Sequence, residues 1–552
     1  MSFSLRSSRV ASTLALLMFA ASAGCGDDGS GGAGGSQQGG GGADSSDGGT
    51  GGSGGGMQPS ASVDGVSAPT RTTIAITITG DATLAPTDPA AYVVTSDRGD
   101  LVIESAAIDA TAGVITLTTE KQKLGVSYTL TISATENALD QEGGTFLAAD
   151  RATFWTSNFA DFSEVEVEAV RLGVGENIVI YATPDVPADD VADTIAYFDS
   201  QIIPIETQLF HAVPDRDDNG KVVILGLDGH GYYAGYFNPV DSRTAQEAES
   251  WGYHSNEMEM LYISTPDIGG SFGPVEVVSH EFQHLLYNEA HDFFTADWPY
   301  HNEGLAECAV HAVSGSNDTA AWYYTAAPGL VNGKSLVKWD YANYAQYAQA
   351  YVFWTYVASR LGGVSGYGEL FNRTGSPGDM SSFLSTQIGE TFAETQLDML
   401  TAAWLEEPTG PFGFSGMLSL PAKPQVATMA APIQLEAFAA VFLPANGNGL
   451  SPIGAGVDVV HRGAASTADL DAPFDAAGGV VIALNTVQDS TTNLTESSGT
   501  LGAGVAPFSG PIAGPALNGS GATDGKLWMH PPPIKPANRA LLRAWRLHAH
   551  GF

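Results

Sequence analysis

The chain has 552 residues, 43% of them hydrophobic, which is enough for several domains with cores of their own. Its formal net charge is −39, from 61 acidic and 22 basic residues. Nucleic acids and anionic membrane surfaces are bound through basic patches, so this charge argues against both as partners. The two cysteines, Cys25 and Cys308, lie in unlike surroundings, which argues against a disulfide between them and against a thiolate zinc site.

Residues 1–25 have the pattern of a bacterial lipoprotein leader. Arg6 and Arg9 precede a short apolar run, and small residues then lead to Cys25. The run is too short to span a bilayer and suits a secretory signal, with Cys25 as the residue that would carry a lipid. Ser22 stands where a lipobox usually has an aliphatic residue, so plain secretion is the alternative. We therefore expect an extracytoplasmic protein that contacts the membrane only through a lipid anchor.

The next two segments differ sharply in composition. Residues 26–57 are nearly all Gly, Ser, Asp, Gln and Ala and are predicted to form a flexible linker. Residues 58–157 contain period-two runs of β-branched residues such as TTIAITITG, which predict an antiparallel β-sandwich. This segment resembles bacterial Ig-like modules, most clearly in the stretches YVVTSDRGDLVIESAAID and SYTLTISATENALD. That resemblance says little about function, because such modules usually act as spacers or adhesins.

The remainder of the chain is predicted to hold two more folded regions. Residues 158–409 mix apolar strands such as NIVIYAT and GKVVILGLD with amphipathic helices, which predicts an α+β domain. Residues 410–494 return to short β runs and are predicted to form a small C-terminal β domain. Residues 495–552 are rich in Gly and Pro and then basic, and we predict that they are poorly ordered. The fold class is therefore multidomain, with an α+β domain between two β domains.

The stretch HEFQH, from His280 to His284, is the strongest functional signal. On a helix, residues four apart project from one face, so both imidazoles could bind the same zinc ion. Glu281 would then face a water on the open side of the metal. The motif is short, however, and a buried helix with satisfied histidines is the alternative. A third ligand is therefore needed to separate the two interpretations.

The residues after the motif indicate which third ligand to expect. Tyr287 and Ala290 stand where metzincins have a glycine and a histidine, which excludes the metzincin pattern. In gluzincins the third ligand is a glutamate on a second helix, and here 18 residues lie between His284 and Glu303. With HNEGLAE following HEFQH at this distance, the chain resembles the hyicolysin-type metallopeptidases of the gluzincin group. The resemblance extends over roughly residues 215–362 and includes DRDDNGKVVILGLD, AGYF and SNEMEMLYIS.

This resemblance implies a zincin-like domain in which His280, His284 and Glu303 bind zinc and leave one position open. It also implies that Glu281 is the general base, which takes a proton from the metal-activated water and returns it to the leaving amine. Glu307 lies one turn after Glu303, where it could accept a hydrogen bond from the far nitrogen of a ligand histidine. A solvated glutamate is the alternative for Glu307.

An oxyanion donor is expected on the helix predicted from YANYAQYAQAYVFWTYVASRLGG. Tyr344, Tyr347 and Tyr351 share one face of that helix. Related gluzincins carry a tyrosine near the start of such a helix, which makes Tyr347 the first choice among the three. Aromatic core packing is the alternative for each of them.

The other histidines close to the motif, His291, His301 and His311, match no ligand position of the family. We interpret them as surface or packing residues. Cys308 lies beside Glu307 in an apolar helical stretch, and we interpret it as a small core residue.

A possible calcium site lies upstream of the motif. Asp215, Asp217 and Asn219 alternate before Gly220 in DRDDNG, as at the opening of a calcium-binding loop. Gly226 stands where an EF-hand has its bidentate glutamate, so the pattern is incomplete. An Asn-Gly turn between a helix and a strand is the alternative.

The sequence thus predicts a secreted or surface-anchored zinc metalloendopeptidase that acts on proteins or peptides. The strand EMEMLYIS, residues 257–264, is predicted to form the sheet edge beside the cleft, where a peptide could pair. It lacks the full Gly-x-Met-Glu-Asn pattern of zinc aminopeptidases, which favours an endopeptidase. The alternatives are a zinc aminopeptidase and a surface adhesin or scaffold with an inactive or structural zinc domain.

Overall fold

The computed structural model describes residues 61–133, 142–159, 163–183, 186–229, 233–268, 273–291, 298–326, 333–339, 344–427, 433–444, 449–453, 459–464, 480–486 and 492–497. These residues belong to one compact unit. The predicted leader, the predicted linker and residues 498–552 of the predicted tail lie outside the described residues, so those features stay predictions. Among the described helices, none is long and apolar enough to cross a membrane.

Seven strands at the N-terminal end form two antiparallel sheets around one hydrophobic core. They are β1 (Ala61–Thr70), β2 (Thr73–Gly80), β3 (Tyr92–Thr95), β4 (Ile103–Asp109), β5 (Val114–Thr119), β6 (Ser127–Ile132) and β7 (Glu142–Leu147). The sheets have the orders β1-β2-β5-β4 and β3-β6-β7. Alternate residues of β2, Ile74, Ile76 and Ile78, are buried in this core, as the period-two pattern predicts. The likeness of these two sheets to Ig-like modules stays a prediction.

A six-stranded mixed sheet is the scaffold of the central region. Its strands are β8 (Arg151–Asn158), β9 (Ser163–Val174), β10 (Ile178–Ala182), β11 (Val222–Leu227), β12 (Gly235–Phe237) and β13 (Met260–Ser264). The strand order is β12-β13-β11-β10-β9-β8. Strands β10, β11 and β13 run parallel, whereas β12 pairs antiparallel with β13. Both β10 and β11 are buried along their whole length, which explains their continuous apolar sequences.

The structure contradicts the prediction about which strand forms the edge of this sheet. Residues 257–264 were expected at the edge, but β13 lies between β11 and β12, and β12 is the edge strand. The prediction is wrong because a three-residue strand, formed from AGYF, adds outside β13. A strand that short has no periodic signal in the sequence. At the opposite edge, β8 spans the predicted boundary at residues 157 and 158 and pairs with β9 in the central sheet.

The α-helices of the described residues lie in the central region. They are α1 (Ala188–Tyr197), α2 (Ile203–Leu209), α3 (Ala245–Trp251), α4 (Gly273–His291), α5 (Pro299–Ser314), α6 (Asp318–Ala326), α7 (Tyr344–Arg360), α8 (Gly366–Phe371), α9 (Pro377–Gln387) and α10 (Phe392–Leu405). Helix α5 packs against both α4 and α7. It begins with Pro299, whose missing N–H costs nothing at a first helical position, and it is capped after Ser314 by Gly315, where φ is +83°.

The strands after α10 form two antiparallel three-stranded sheets, with the orders β14-β19-β16 and β15-β18-β17. They are β14 (Ile433–Leu435), β15 (Ala440–Pro444), β16 (Gly449–Ile453), β17 (Val459–Ala464), β18 (Val480–Asn485) and β19 (Thr492–Ser497). Phe438, Phe442 and Ile482 belong to the same hydrophobic core as the central helices. The C-terminal β region therefore packs on the helical layer.

Candidate metal centre

Helices α4 and α5 bring three donor side chains together in the core. His280 and His284 lie one turn apart on α4, and their Nε2 atoms are 3.1 Å apart. Glu303 lies on α5, with its Oε2 3.3 Å from His280 Nε2 and 3.4 Å from His284 Nε2. All three side chains are buried, and together they could hold a metal ion. We call these three residues the metal-binding group.

The outer ring nitrogens of the two histidines face other oxygen atoms. Asn302 Oδ1 lies 3.0 Å from His284 Nδ1, and Glu307 Oε1 lies 3.5 Å from His280 Nδ1. These oxygens favour a proton on Nδ1, so in its neutral form each ring presents the lone pair of its Nε2 to the centre. Two lone pairs and a carboxylate oxygen then converge, and such acceptors repel each other unless a cation lies between them. The donor set therefore fits a divalent metal.

Buried carboxyl groups dominate the electrostatics of the site. Burial raises the pKa of Glu281 to about 8, with the charge of Glu303 adding to the shift and that of His284 opposing it. Burial also raises the pKa of Glu307 to about 8. For His284, burial favours the neutral ring, but the charges of Glu303 and Glu281, with the hydrogen bonds to Glu303 and Asn302, together raise the pKa to about 9. A dication among these groups would lower their pKa values.

Glu281 lies between the metal-binding group and the edge strand. Its side chain is buried, and its carboxylate accepts a hydrogen bond from the backbone N–H of Phe237 in β12. A Cβ atom at Gly235 would lie 2.9 Å from Glu281 Cγ, closer than two carbon atoms pack. Glycine at that position therefore lets α4 approach β12, which places the edge strand directly beside the candidate base.

Two of the three candidate tyrosines on α7 lie beside the metal-binding group. The O–H of Tyr344 donates to Glu307 Oε2 at 3.3 Å. The ring of Tyr347 stacks on that of Tyr344, with centroids 5.6 Å apart, and its centroid is 6.3 Å from that of the His280 ring. Tyr347 is fully buried, whereas Tyr344 is partly exposed. Both rings therefore lie close to the residues of the candidate metal centre, and the hydroxyl of Tyr344 is already bound to Glu307.

The other histidines and the cysteine contact different parts of the core. Tyr351, the third candidate tyrosine, has its Oη 3.1 Å from Nδ1 of His311. Ring nitrogens of His291 and His301 lie 2.5 and 3.0 Å from backbone carbonyl oxygens. Cys308 is a free, buried thiol. In the part of the chain that the structure describes, these residues join no group able to hold a metal.

Sequence reasoning missed two side chains that contact the site. Asn302 Oδ1 lies 3.0 Å from His284 Nδ1, a contact that depends on how α5 packs against α4. Asn317 Nδ2 donates to Glu307 Oε2 at 2.6 Å. Asn317 carried no signal, because its contact depends on how the chain turns between α5 and α6.

A second group of carboxylates lies at the predicted calcium loop and includes one residue from outside that loop. Oxygen atoms of Asp215, Asp217 and Glu259 all lie within 4.8 Å of one another, and we call these residues the acidic group. Asn219 lies in the same loop, where its Nδ2 donates to Asp217 Oδ2 at 3.2 Å and its Oδ1 accepts a hydrogen bond from the backbone N–H of Lys221. Glu259, directly before β13, joins Asp215 and Asp217 through a contact that the spacing within the loop does not encode. The calcium site itself stays a prediction.

Each carboxylate of the acidic group is paired with an arginine. The pairs are Asp215–Arg98 at 3.1 Å, Asp217–Arg71 at 3.8 Å and Glu259–Arg216 at 3.8 Å. Arg71 and Arg98 lie in turns of the N-terminal β region. Burial nevertheless raises the pKa of Asp217 to about 6 and that of Glu259 to about 7. The acidic group thus joins the N-terminal β region to the central region through ion pairs.

Comparison with known proteins gives one informative relative. The neutral metalloprotease ShpI of Staphylococcus hyicus is 26% identical over 299 residues, which cover 48% of this chain and 65% of that protein. The chain is a distant homologue of a metalloprotease. The match spans just under two thirds of the relative's length. No family model matches the chain.

Solved structures add little to this relationship. The S-layer protein SbsC is 21% identical, with 18% of this chain and 15% of that chain covered and a TM-score of 0.15. The chitinase ChiW from Paenibacillus sp. str. FPU-7 is 11% identical, with 81% and 49% covered and a TM-score of 0.12. Scores this low carry no argument about fold or function.

Proposed function

We propose that the chain is a secreted or surface-anchored zinc metalloendopeptidase. The observation that carries the proposal is the metal-binding group, in which two Nε2 atoms and a carboxylate oxygen converge at 3.1 to 3.4 Å within the core. Glu281 lies on the same helix, next to one of these histidines and beside the edge strand. The distant similarity to a neutral metalloprotease supports the same function.

The donor set favours zinc over other divalent metals. Two imidazoles and one carboxylate form a ligand set of catalytic zinc, and they leave a coordination position for water or substrate. His280, His284 and Glu303 would hold the ion, while Asn302 and Glu307 would orient the two rings. Bound zinc would supply Lewis acidity, which polarises a peptide carbonyl and acidifies a water molecule.

Glu281 is proposed to move the proton in the reaction. Burial raises its pKa to about 8 in the protein alone, and a nearby dication would lower it enough to leave a carboxylate at neutral pH. That carboxylate can take a proton from the attacking water and deliver it to the leaving amine. The hydrogen bond from the Phe237 N–H keeps the carboxylate oriented during this transfer.

Tyr347 is proposed as the donor to the oxyanion. Its ring is close to that of His280, with centroids 6.3 Å apart, and its neighbour Tyr344 already donates its O–H to Glu307. A phenol aimed at the developing negative charge stabilises it more than it stabilises the substrate carbonyl. Tyr344 is the second choice, because its hydroxyl would first have to leave Glu307.

A peptide substrate is proposed to pair with β12 in an extended conformation. The outer side of β12 has no strand partner among the described residues. A sheet edge without a neighbouring strand can bind a peptide through backbone hydrogen bonds, with side-chain pockets supplying the selectivity. Because β12 is adjacent to Glu281, a peptide on this edge would have its backbone beside the base.

Hydrolysis of casein and of N-terminally blocked peptides tests this function. We expect cleavage of both substrates, loss of activity on chelation and recovery when zinc is added. An aminopeptidase would cleave peptides only when their N-terminus is free. An adhesin or scaffold with a structural zinc site would cleave neither substrate, whatever its metal content.

A further inference from the structure

One buried asparagine joins the start of helix α6 to the candidate metal centre. Asn317 lies directly before α6, and its Oδ1 accepts a hydrogen bond from the backbone N–H of Ala320 at 3.0 Å. Its Nδ2 donates to Glu307 Oε2 at 2.6 Å and to the backbone carbonyl oxygen of Glu307 at 3.2 Å. A side-chain amide has two N–H donors, and both find acceptors on this one residue of α5. Asn317 therefore contacts the Glu307 side chain in addition to capping α6.

A second donor reaches the same carboxylate oxygen from α7. The O–H of Tyr344 donates to Glu307 Oε2 at 3.3 Å. The ring of Tyr344 packs against two other rings, with centroids 4.7 Å away for Tyr323 on α6 and 5.6 Å away for Tyr347 on α7. These contacts restrict the rotation of the Tyr344 side chain and so keep its hydroxyl directed at Glu307.

The two oxygen atoms of Glu307 have different neighbours. Oε2 accepts from Asn317 and Tyr344, whereas Oε1 lies 3.5 Å from His280 Nδ1. A contact of 3.5 Å is longer than a normal hydrogen bond, so its strength depends closely on where Oε1 is held. Because the carboxylate is planar and rigid, donors that fix Oε2 also fix the position of Oε1.

We propose that Asn317 and Tyr344 are positioning residues that hold Glu307 Oε1 against the ring of His280 and thereby support zinc binding. This inference deepens the proposed function, on which it rests in taking the metal-binding group as a zinc site. A hydrogen bond to the outer nitrogen of a ligand histidine fixes the orientation and tautomer of the ring. Loss of the groups that place this acceptor should therefore weaken zinc binding, although every ligand is still present.

Zinc affinity of the whole chain, measured by chelator competition, tests the two donors. Asn317→Gly removes the amide, and glycine is tolerated at the start of a helix far better than alanine. We expect the dissociation constant of zinc to rise about 5-fold in Asn317→Gly and about 3-fold in Tyr344→Phe, as for the loss of one hydrogen bond. Thr391→Gly is the matched control, because Thr391 caps α10 by accepting from the Glu394 N–H. The control should bind zinc as the wild type does.

A double-mutant cycle shows whether Asn317 acts through Glu307. In Glu307→Ala the held side chain is absent, so adding Asn317→Gly should change zinc affinity by less than about 2-fold. Thermal unfolding shows that each variant has folded, and Tyr344→Phe tests the proposal with the smallest change to the core.

Three results would overturn the positioning role. They are wild-type zinc affinity in both Asn317→Gly and Tyr344→Phe, a loss of the same size in Thr391→Gly, and an undiminished effect of Asn317→Gly in the Glu307→Ala background. A wild-type chain that binds zinc but hydrolyses neither casein nor blocked peptides would overturn the proposed peptidase function instead. The zinc affinities of the variants would still decide the positioning role in that case.

Discussion

The metal-binding group and the acidic group both gather three donor side chains, but they differ in what balances their charge. In the metal-binding group, the surrounding side chains of Asn302 and Glu307 present oxygen atoms to the histidine rings. In the acidic group, an arginine lies within ion-pair distance of each carboxylate. Buried charges need a partner of opposite sign: the acidic group has permanently charged arginines, whereas Glu303 faces two histidine rings that are charged only when protonated. Within this chain, the group of donor side chains without an arginine partner is therefore the stronger candidate for a metal site.

The same substitution in each group gives the largest expected contrast. Glu303→Gln removes a charged ligand, so we expect zinc affinity to fall by more than about 100-fold and hydrolysis to be lost. Glu259→Gln makes the equivalent change in the acidic group and should leave both properties at wild-type levels. Zinc content and chelator competition measure the affinity. Equal zinc affinities for the two variants would contradict the distinction between the groups.

Within the metal-binding region, Glu281→Gln separates metal binding from chemistry. The amide cannot take up a proton, so kcat should fall by about 10²- to 10⁴-fold. Zinc content should stay at the wild-type value, because Glu281 is not a member of the metal-binding group. Turnover near the wild-type rate would show that another residue acts as the base.

Asn302 tests whether ring orientation contributes to the metal-binding group. In Asn302→Leu the contact with His284 Nδ1 is lost, and we expect zinc affinity to fall about 10- to 100-fold. Asn302→Asp keeps an oxygen acceptor of the same size and should retain most of the affinity. Chelator competition compares the two variants, and equal losses in both would argue for a purely structural effect.

The free energy of unfolding should depend on pH through Glu259 of the acidic group. Burial raises the folded-state pKa of Glu259 to about 7, above the unfolded value of about 4.3. The folded state thus holds this proton more tightly, so the stabilisation is complete below about pH 4 and is lost as pH rises through about 7. Between these pH values, we expect the free energy of unfolding of the wild type to fall by about 1 to 3 kcal/mol relative to Glu259→Gln. Parallel urea-unfolding profiles for the two proteins would disprove this.

The smallest effect is expected from calcium. Three arginines already balance the acidic group, so a dication would have to compete with them. If the dissociation constant is no tighter than the millimolar concentration used, calcium stabilises the fold by about 0.4 kcal/mol or less, which is about 1 °C in Tm. Differential scanning calorimetry measures the shift. A larger shift that disappears in Glu259→Gln would instead support a calcium site built from this group.

Local sequence patterns were sufficient to predict the helices and strands whose residues are neighbours in sequence. Helical periodicity placed His280 and His284 on one face of α4, and alternation placed Ile74 and Ile76 in the core of the N-terminal β region. The ligand role of Glu303 was inferred from the ligand spacing of a known family. Its closeness to the two histidines, at 3.3 and 3.4 Å, is consistent with the ligand role, which stays a proposal.

Other features depended on contacts between distant parts of the chain. Only the tertiary structure puts β12 at the sheet edge, brings Glu259 to Asp215 and Asp217, and aligns Tyr323 with Tyr344. Periodicity reports which face of an element is buried, but not which element covers that face. The sequence by itself therefore determined the residue types and local geometry of the candidate site. The position of the edge strand, the contact between Tyr323 and Tyr344 and the arginine partners were decided by how the chain packs, because no local pattern connects the residues involved.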